Sequence, residues 1–116
     1  AYSTYLGIRN RLYRIKSGTR TIIMIVGTLC IRVAMRGSRS LKDKRRIVKS
    51  LKDRIRNKFN VSVSETGFQD NLRSSEISVA MVGTDRQYVN GALSSLINFF
   101  RFFPQIELVD YDLDLF

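Results

Sequence analysis

The stretch from residue 36 to residue 58 constrains the fold of this chain more than any other. Leu41, Val48, Leu51 and Ile55 recur at helical spacing, with Ile47 on the flank, so the segment reads as a helix that buries one stripe. Eleven Lys or Arg and only two Asp (Asp43 and Asp53) fall in the same span, which therefore carries +9 of the net +10 charge. Gly37 and Ser38 break whatever precedes the helix. Ser40 is placed to cap it, with Asp43 three residues on as a short-acid form of the capping box. The spacing predicts a helix over 40–58. A helix with one apolar stripe and a cationic outer side needs an apolar surface to lie on, and the flanking segments supply it.

Residues 22–31 are apolar and mostly β-branched, and Leu29, Ile31 and Val33 alternate with Thr28, Cys30 and Arg32, which predicts a strand over 24–35. The run is too short to cross a bilayer and Arg32 ends it, so no membrane association is expected. Over 59–66, Phe59, Val61 and Val63 alternate with Asn60, Ser62 and Ser64, and Ile77, Val79 and Met81 do the same after a polar loop at 67–74. Thr84 to Gln87 reads as a capping box opening a second helix with Val89, Leu93, Leu96 and Phe100 on its buried side, and Pro104 stops it. In the final strand, 106–116, Val109, Tyr111, Leu113 and Leu115 alternate with Asp110, Asp112 and Asp114.

The resulting order, β-α-β-β-α-β without linker or repeat, predicts an α+β fold: a ferredoxin-like split β-α-β sandwich, with a four-stranded antiparallel sheet and two helices on one face. At 116 residues and 44% hydrophobic, the chain suits one domain with a real core. The open face of the sheet should carry Thr28, Cys30, Arg32, Ser62, Ser64, Ser78, Ala80 and the three aspartates.

Residues 1–23 stand apart. They hold Arg9, Arg11, Arg14, Lys16 and Arg20 and no acid, and Tyr5, Ile8, Leu12 and Ile15 are spaced for a short amphipathic helix. A basic N-terminal arm, a targeting peptide, and sequence upstream of a start at Met24 all fit. The last is favoured, because 24–116 reads as a complete single domain.

One cysteine and no histidine exclude an internal disulfide framework, a Cys/His metal site and histidine-based catalysis. A cytoplasmic, non-catalytic protein with no cofactor and no metal is the expectation. Asp110, Asp112 and Asp114 lie about 7 Å apart along their strand, too far for one small ion without further ligands. Pairing with Arg32 on the adjacent strand is simpler. Cys30 has little basic nearby in sequence to activate it. Arg36 or Arg39 could imitate the arginine of small acyl-phosphate hydrolases, but the glycine-rich loop of those enzymes is missing.

Charge carries the functional expectation. Lys42, Arg45, Arg46, Lys49 and Arg56 share the helix face away from the stripe, and Arg36 and Arg39 precede its N-terminus. Guanidinium forks, loop amides and a helix N-terminus together suit phosphates, so RNA contact is expected there. A solvated basic face is the plain alternative. Stacking on the sheet is not expected, since Thr28, Cys30, Ser78 and Ala80 occupy the positions where RNA-recognition sheets carry aromatics. Phe99 and Phe102 fall off the buried side of the second helix and mark a candidate protein contact, a homodimer or an adaptor, with the acidic last strand as a second element.

The run RSLKDKRRIVKSLKDRIRNKFNVSVSE over 39–65, with VGTL at 26–29 and LVDYDLDL at 108–115, resembles the small bacterial YlxP-like family, a domain family of unknown function. The resemblance covers about 24–116. It implies a cytoplasmic, ferredoxin-like domain and, from genes that neighbour those of translation initiation, a ribosome-associated role. Relatives carry a His-Gln-Asp-Leu-Trp-like run where this chain has Phe68-Gln69-Asp70-Asn71-Leu72, so no role resting on that His or Trp carries over.

Overall fold

The computed structural model describes residues 13–17 and 20–116, with side chains from Ile23 onward. Its elements are β1 (Tyr13–Ser17), β2 (Arg20–Met35), α1 (Leu41–Lys58), β3 (Ser62–Gly67), β4 (Ser74–Gly83), α2 (Arg86–Arg101) and β5 (Ile106–Leu115). From β2 onward the order is the expected β-α-β-β-α-β. The strands pair antiparallel in the order β5-β2-β4-β3, which makes the domain an α+β ferredoxin-like sandwich. Of the helical periodicity at the N-terminus, Tyr5, Ile8 and Leu12 lie outside the described residues. Ile15 does not continue a helix. It sits in β1, which pairs antiparallel with the start of β2, Tyr13 opposite Met24 and Ser17 opposite Arg20. Tyr13-Arg14-Ile15-Lys16 alternates apolar and basic residues, a period that serves a strand as well as a helix turn.

The core forms where one face of the sheet meets both helices. Leu29, Ile31 and Val33 of β2, Val63 of β3 and Ile77 and Val79 of β4 pack with Val48, Leu51 and Ile55 of α1 and Val89, Leu93, Leu96 and Phe100 of α2. Gly27 lets α2 settle directly on β2: a Cβ there would stand 2.5 Å from a methyl of Val89 and 2.7 Å from one of Leu93.

Three boundaries and one register differ from the periodicity, and the first of the boundaries is the start of β2, at Arg20 rather than at residue 24. Helix α1 runs to Lys58, and Phe59 closes it by donating its backbone N–H to the Ile55 carbonyl at 2.8 Å, so β3 starts only at Ser62. The N-cap of α2 is Asp85, which accepts from the Gln87 N–H at 3.0 Å, and not Thr84. The carboxylate simply reaches the first free amides from one residue closer. In β5 the buried parity changes within the strand: Leu108 pairs with Val33, yet Asp110 pairs with Arg32. Val109 is the extra residue of a bulge, 57% exposed, where simple alternation puts it inside. The bulge lets Ile106 and Leu108 on one side of it, and Tyr111 and Leu113 on the other, all keep register with the core-facing side of β2.

Candidate nucleic-acid interface

The loop between β2 and α1 is held by one backbone–backbone bond and by side-chain bonds to the backbone. Arg36 donates its N–H to the Gln105 carbonyl at 3.0 Å, and the Ser38 hydroxyl donates to the Leu72 carbonyl at 3.0 Å. Gly37 makes the turn between them with φ +76°, a conformation that side chains rarely adopt. Ser40 then caps α1, accepting from the Asp43 N–H at 3.1 Å. Asp43 answers one residue further back than a full capping box, accepting from the Arg39 N–H at 3.3 Å. Arg36 and Arg39 are thus presented at the positive end of the helix, both exposed.

All seven cations singled out from the sequence, Arg36, Arg39, Lys42, Arg45, Arg46, Lys49 and Arg56, are exposed, in the loop or on the outer side of α1. Acids temper most of them. Arg46 pairs with Asp43 at 3.2 Å, Lys49 with Asp53 at 2.8 Å, Arg56 with Asp53 at 3.5 Å, Arg45 with Asp70 at 3.5 Å and Arg36 with Glu107 at 3.4 Å. These pairs are solvated, so they soften the field without removing the donors. Asp53 has its pKa held below the usual carboxylate range, chiefly by the hydrogen bond from Lys49, and further by the charges of Lys49, Arg56 and Lys52 against some desolvation. The carboxylate is therefore ionised across the neutral range and sits amid the basic face as its counter-charge.

The residue that periodicity passed over is Lys44. Its side chain is completely buried, its ammonium 2.9 Å from the Glu65 carboxylate of β3. It also donates to the carbonyls of Phe68 and of Gln69, the latter at 3.3 Å. Ser75 of β4 donates to the same Glu65 carboxylate at 2.5 Å. Three ammonium protons meet three acceptors, so the cost of burying the charge is offset by full satisfaction. The clamp ties α1 to the edge of the sheet and holds the loop after β3, where Phe68 takes φ 59°. The signal was present in the sequence: Leu41, Lys44, Val48, Leu51 and Ile55 form an unbroken 3-4-3-4 repeat, with the lysine inside the stripe.

The open face of the sheet is as polar as its alternation implied. Thr28, Cys30 and Arg32 stand opposite Asp114, Asp112 and Asp110 on one side and Ala80, Ser78 and Glu76 on the other. The Cys30 thiol and the Ser78 hydroxyl are 3.3 Å apart, and Ser78 and Thr66 share a hydrogen bond of 2.6 Å. Arg32 lies opposite Asp110 in register, and its guanidinium stacks over the Phe68 ring, 5.6 Å from the centroid. The phenylalanines of α2 separate into two kinds. Phe99 is half-buried in a ring cluster, 6.2 Å from Phe59 and 6.0 Å from Phe103. Phe102, 84% exposed, lines a groove with Arg36 and Arg101.

Residues 26–113 match the family described as "Protein of unknown function (DUF503)". The chain belongs to that family. It is also 40% identical, over 68 residues, to a Bacillus subtilis protein named "Uncharacterized protein YlxP", an overlap spanning 59% of this chain and 74% of that relative. Neither description assigns a reaction, ligand or partner. The matched span starts inside β2 and ends inside β5, so it takes in both helices and the whole basic loop. Among the described residues, no helix of this family member is long and apolar enough to cross a membrane.

Proposed function

We propose that this domain is a non-catalytic cytoplasmic accessory protein that contacts RNA through the β2–α1 loop and the outer face of α1. The observation that carries the reading is the shared exposure of Arg36 and Arg39, in a loop bonded to Gln105 and Leu72 before the helix N-terminus, and of Lys42, Arg45, Arg46, Lys49 and Arg56 along the outer face of the helix to its last turn. Such an array neutralises phosphates and reads backbone and shape rather than base identity. Genes of the resembling family neighbour translation-initiation genes, which makes ribosomal RNA the first RNA to offer it.

Filter binding of the full chain to RNA over a salt series tests this. With about four to six phosphates neutralised, log affinity for single strands falls against log salt with a slope near −3 to −4. Replacing Lys42, Arg45, Arg46 and Lys49 together by Ala lowers affinity roughly 100-fold or more at low salt, evenly across sequences, and flattens the slope. Salt-insensitive binding, or no binding at low salt, removes the reading.

A second reading rests on the 84% exposure of Phe102: a homodimer or adaptor contact using that ring and the acidic β5. It requires a dimer in light scattering that Phe102→Asp dissolves. Phe99 contributes less to such a contact than its position in the sequence implied, since its ring is already packed.

A further inference from the structure

We infer that the groove at the end of α2, walled by Phe102, Arg36 and Arg101, is a stacking platform for an unstacked base of single-stranded RNA. This rests on the RNA reading of α1 and adds the class of RNA, single strand rather than duplex.

Phe102 is the most exposed large hydrophobic side chain among the described residues. Its neighbours Phe100 and Phe103 are 0% and 4% exposed, so the helix phase that buries them turns Phe102 outward, and core packing does not explain its ring. The backbone beneath it is fixed. Phe102 is the C-cap of α2, its N–H donating to the Asn98 carbonyl at 3.2 Å. Phe103 donates to the Phe100 carbonyl at 3.3 Å, and Pro104 follows. Only two side-chain torsions remain to be ordered on binding, a low entropic cost for a large contact area.

The open groove beside the ring has a volume of about 450 Å³, and its lining joins the apolar Phe103, Pro104 and Leu108 to the two arginines. That is the form of a site for a flat apolar body with an anion attached. The charge is modest. Glu107 pairs with Arg36 at 3.4 Å, and the carbonyl end of α2 adds partial negative charge that Arg101 offsets. Stacking, and not charge, is then the main attraction here. Electrostatic capture comes from α1, which adjoins. Arg36 of this groove donates its N–H to the carbonyl of Gln105, which lines a second groove of about 450 Å³ with Gly37, Asp43, Arg46 and Ser50. Phosphates tracking from Arg46 to Arg36 bring the next nucleotide to Phe102. A duplex cannot offer a base to the ring, because its bases are stacked inside.

The test uses the full chain and labelled short RNAs: a uridine-rich single strand, its abasic counterpart with the same phosphates, and a duplex of equal length. Phe102→Ala weakens binding of the base-bearing strand roughly 5- to 150-fold and leaves the abasic strand and the salt slope unchanged. Because the chain contains no tryptophan, Phe102→Trp adds a sole indole reporter, whose emission is quenched when the base-bearing strand is added while affinity is retained. Equal binding of base-bearing and abasic strands, unchanged by Phe102→Ala but lost in the α1 quadruple variant, overturns the platform and leaves the RNA reading intact. No binding of any RNA overturns both. A dimer that Phe102→Asp dissolves, with strand affinity unchanged, assigns the ring to a second copy and overturns the platform alone.

Discussion

Lys44 and Lys49 lie little more than a turn apart on α1 and have opposite roles. Lys49 is 75% exposed and reaches Asp53 at 2.8 Å, and Lys44 is fully buried and reaches Glu65 at 2.9 Å. The distances are nearly equal and the energetics are not. On the outer face water screens the pair, side-chain entropy opposes it, and the net worth is small. On the inner face the charge has left water, and only the complete set of acceptors from Glu65, Phe68 and Gln69 makes its burial tolerable. Formal charge in a sequence therefore divides into charge that a partner can meet and charge spent inside the fold. Of the eleven cations between residues 36 and 58, Lys44 belongs to the second kind.

The largest effect expected from breaking this contrast is at Lys44. Lys44→Ala leaves Glu65 without its buried partner and costs about 3–5 kcal/mol of stability by urea unfolding, with RNA affinity of the remaining folded protein hardly changed. Replacing the pair together, Lys44→Met with Glu65→Leu, recovers most of that loss. If the single and double variants are equally unstable, the pair is not what the region depends on. A middle effect falls on the cap that starts the basic face. Ser40→Ala removes the acceptor for the Asp43 N–H and costs about 1 kcal/mol, seen as a lower thermal midpoint.

The smallest effect is at Asp53, on the outer side. Its pKa is lowered in the folded chain, so its contribution to stability is present above the ordinary carboxylate range and is lost as pH falls through the depressed folded value. Asp53→Asn removes that acid-side dependence from the unfolding curve. It also strips one negative charge from the face and tightens RNA binding roughly two- to fivefold at low salt. A variant that binds more weakly would place the phosphate path away from this part of α1.

Much of this was legible without coordinates, because burial repeats with the period of the element. Although β2 itself begins at Arg20, the part of it from Met24 onward, the last strand, the stripe of α1 and the buried side of α2 follow from spacing. So does the composition of the open sheet face, down to the aspartates that stand opposite Thr28, Cys30 and Arg32. The exposed cations were equally legible, since each falls outside the apolar stripe. Three features were not. Lys44 was masked by its chemistry, as a lysine within an apolar repeat reads as a defect until Glu65 and two carbonyls converge on it. The bulge at Val109 depends on keeping register with β2, which the residues of β5 do not encode alone. Phe99 is marginal by phase where Phe102 points well away, and it is the rings of Phe59, brought from the end of α1, and of Phe103 that take Phe99 partly inside.

The sequence by itself thus determined the α+β order, the core stripes and the presence of a cationic loop and helix, all consequences of local period and composition. The tertiary structure decided which charges remain available and what lies beside them. It buried Lys44, pinned the basic loop to Gln105 and Leu72, and set Phe102 against Arg36 across more than sixty residues of chain. Those juxtapositions arise from sheet order and helix packing, where distance along the chain carries no information about distance in space.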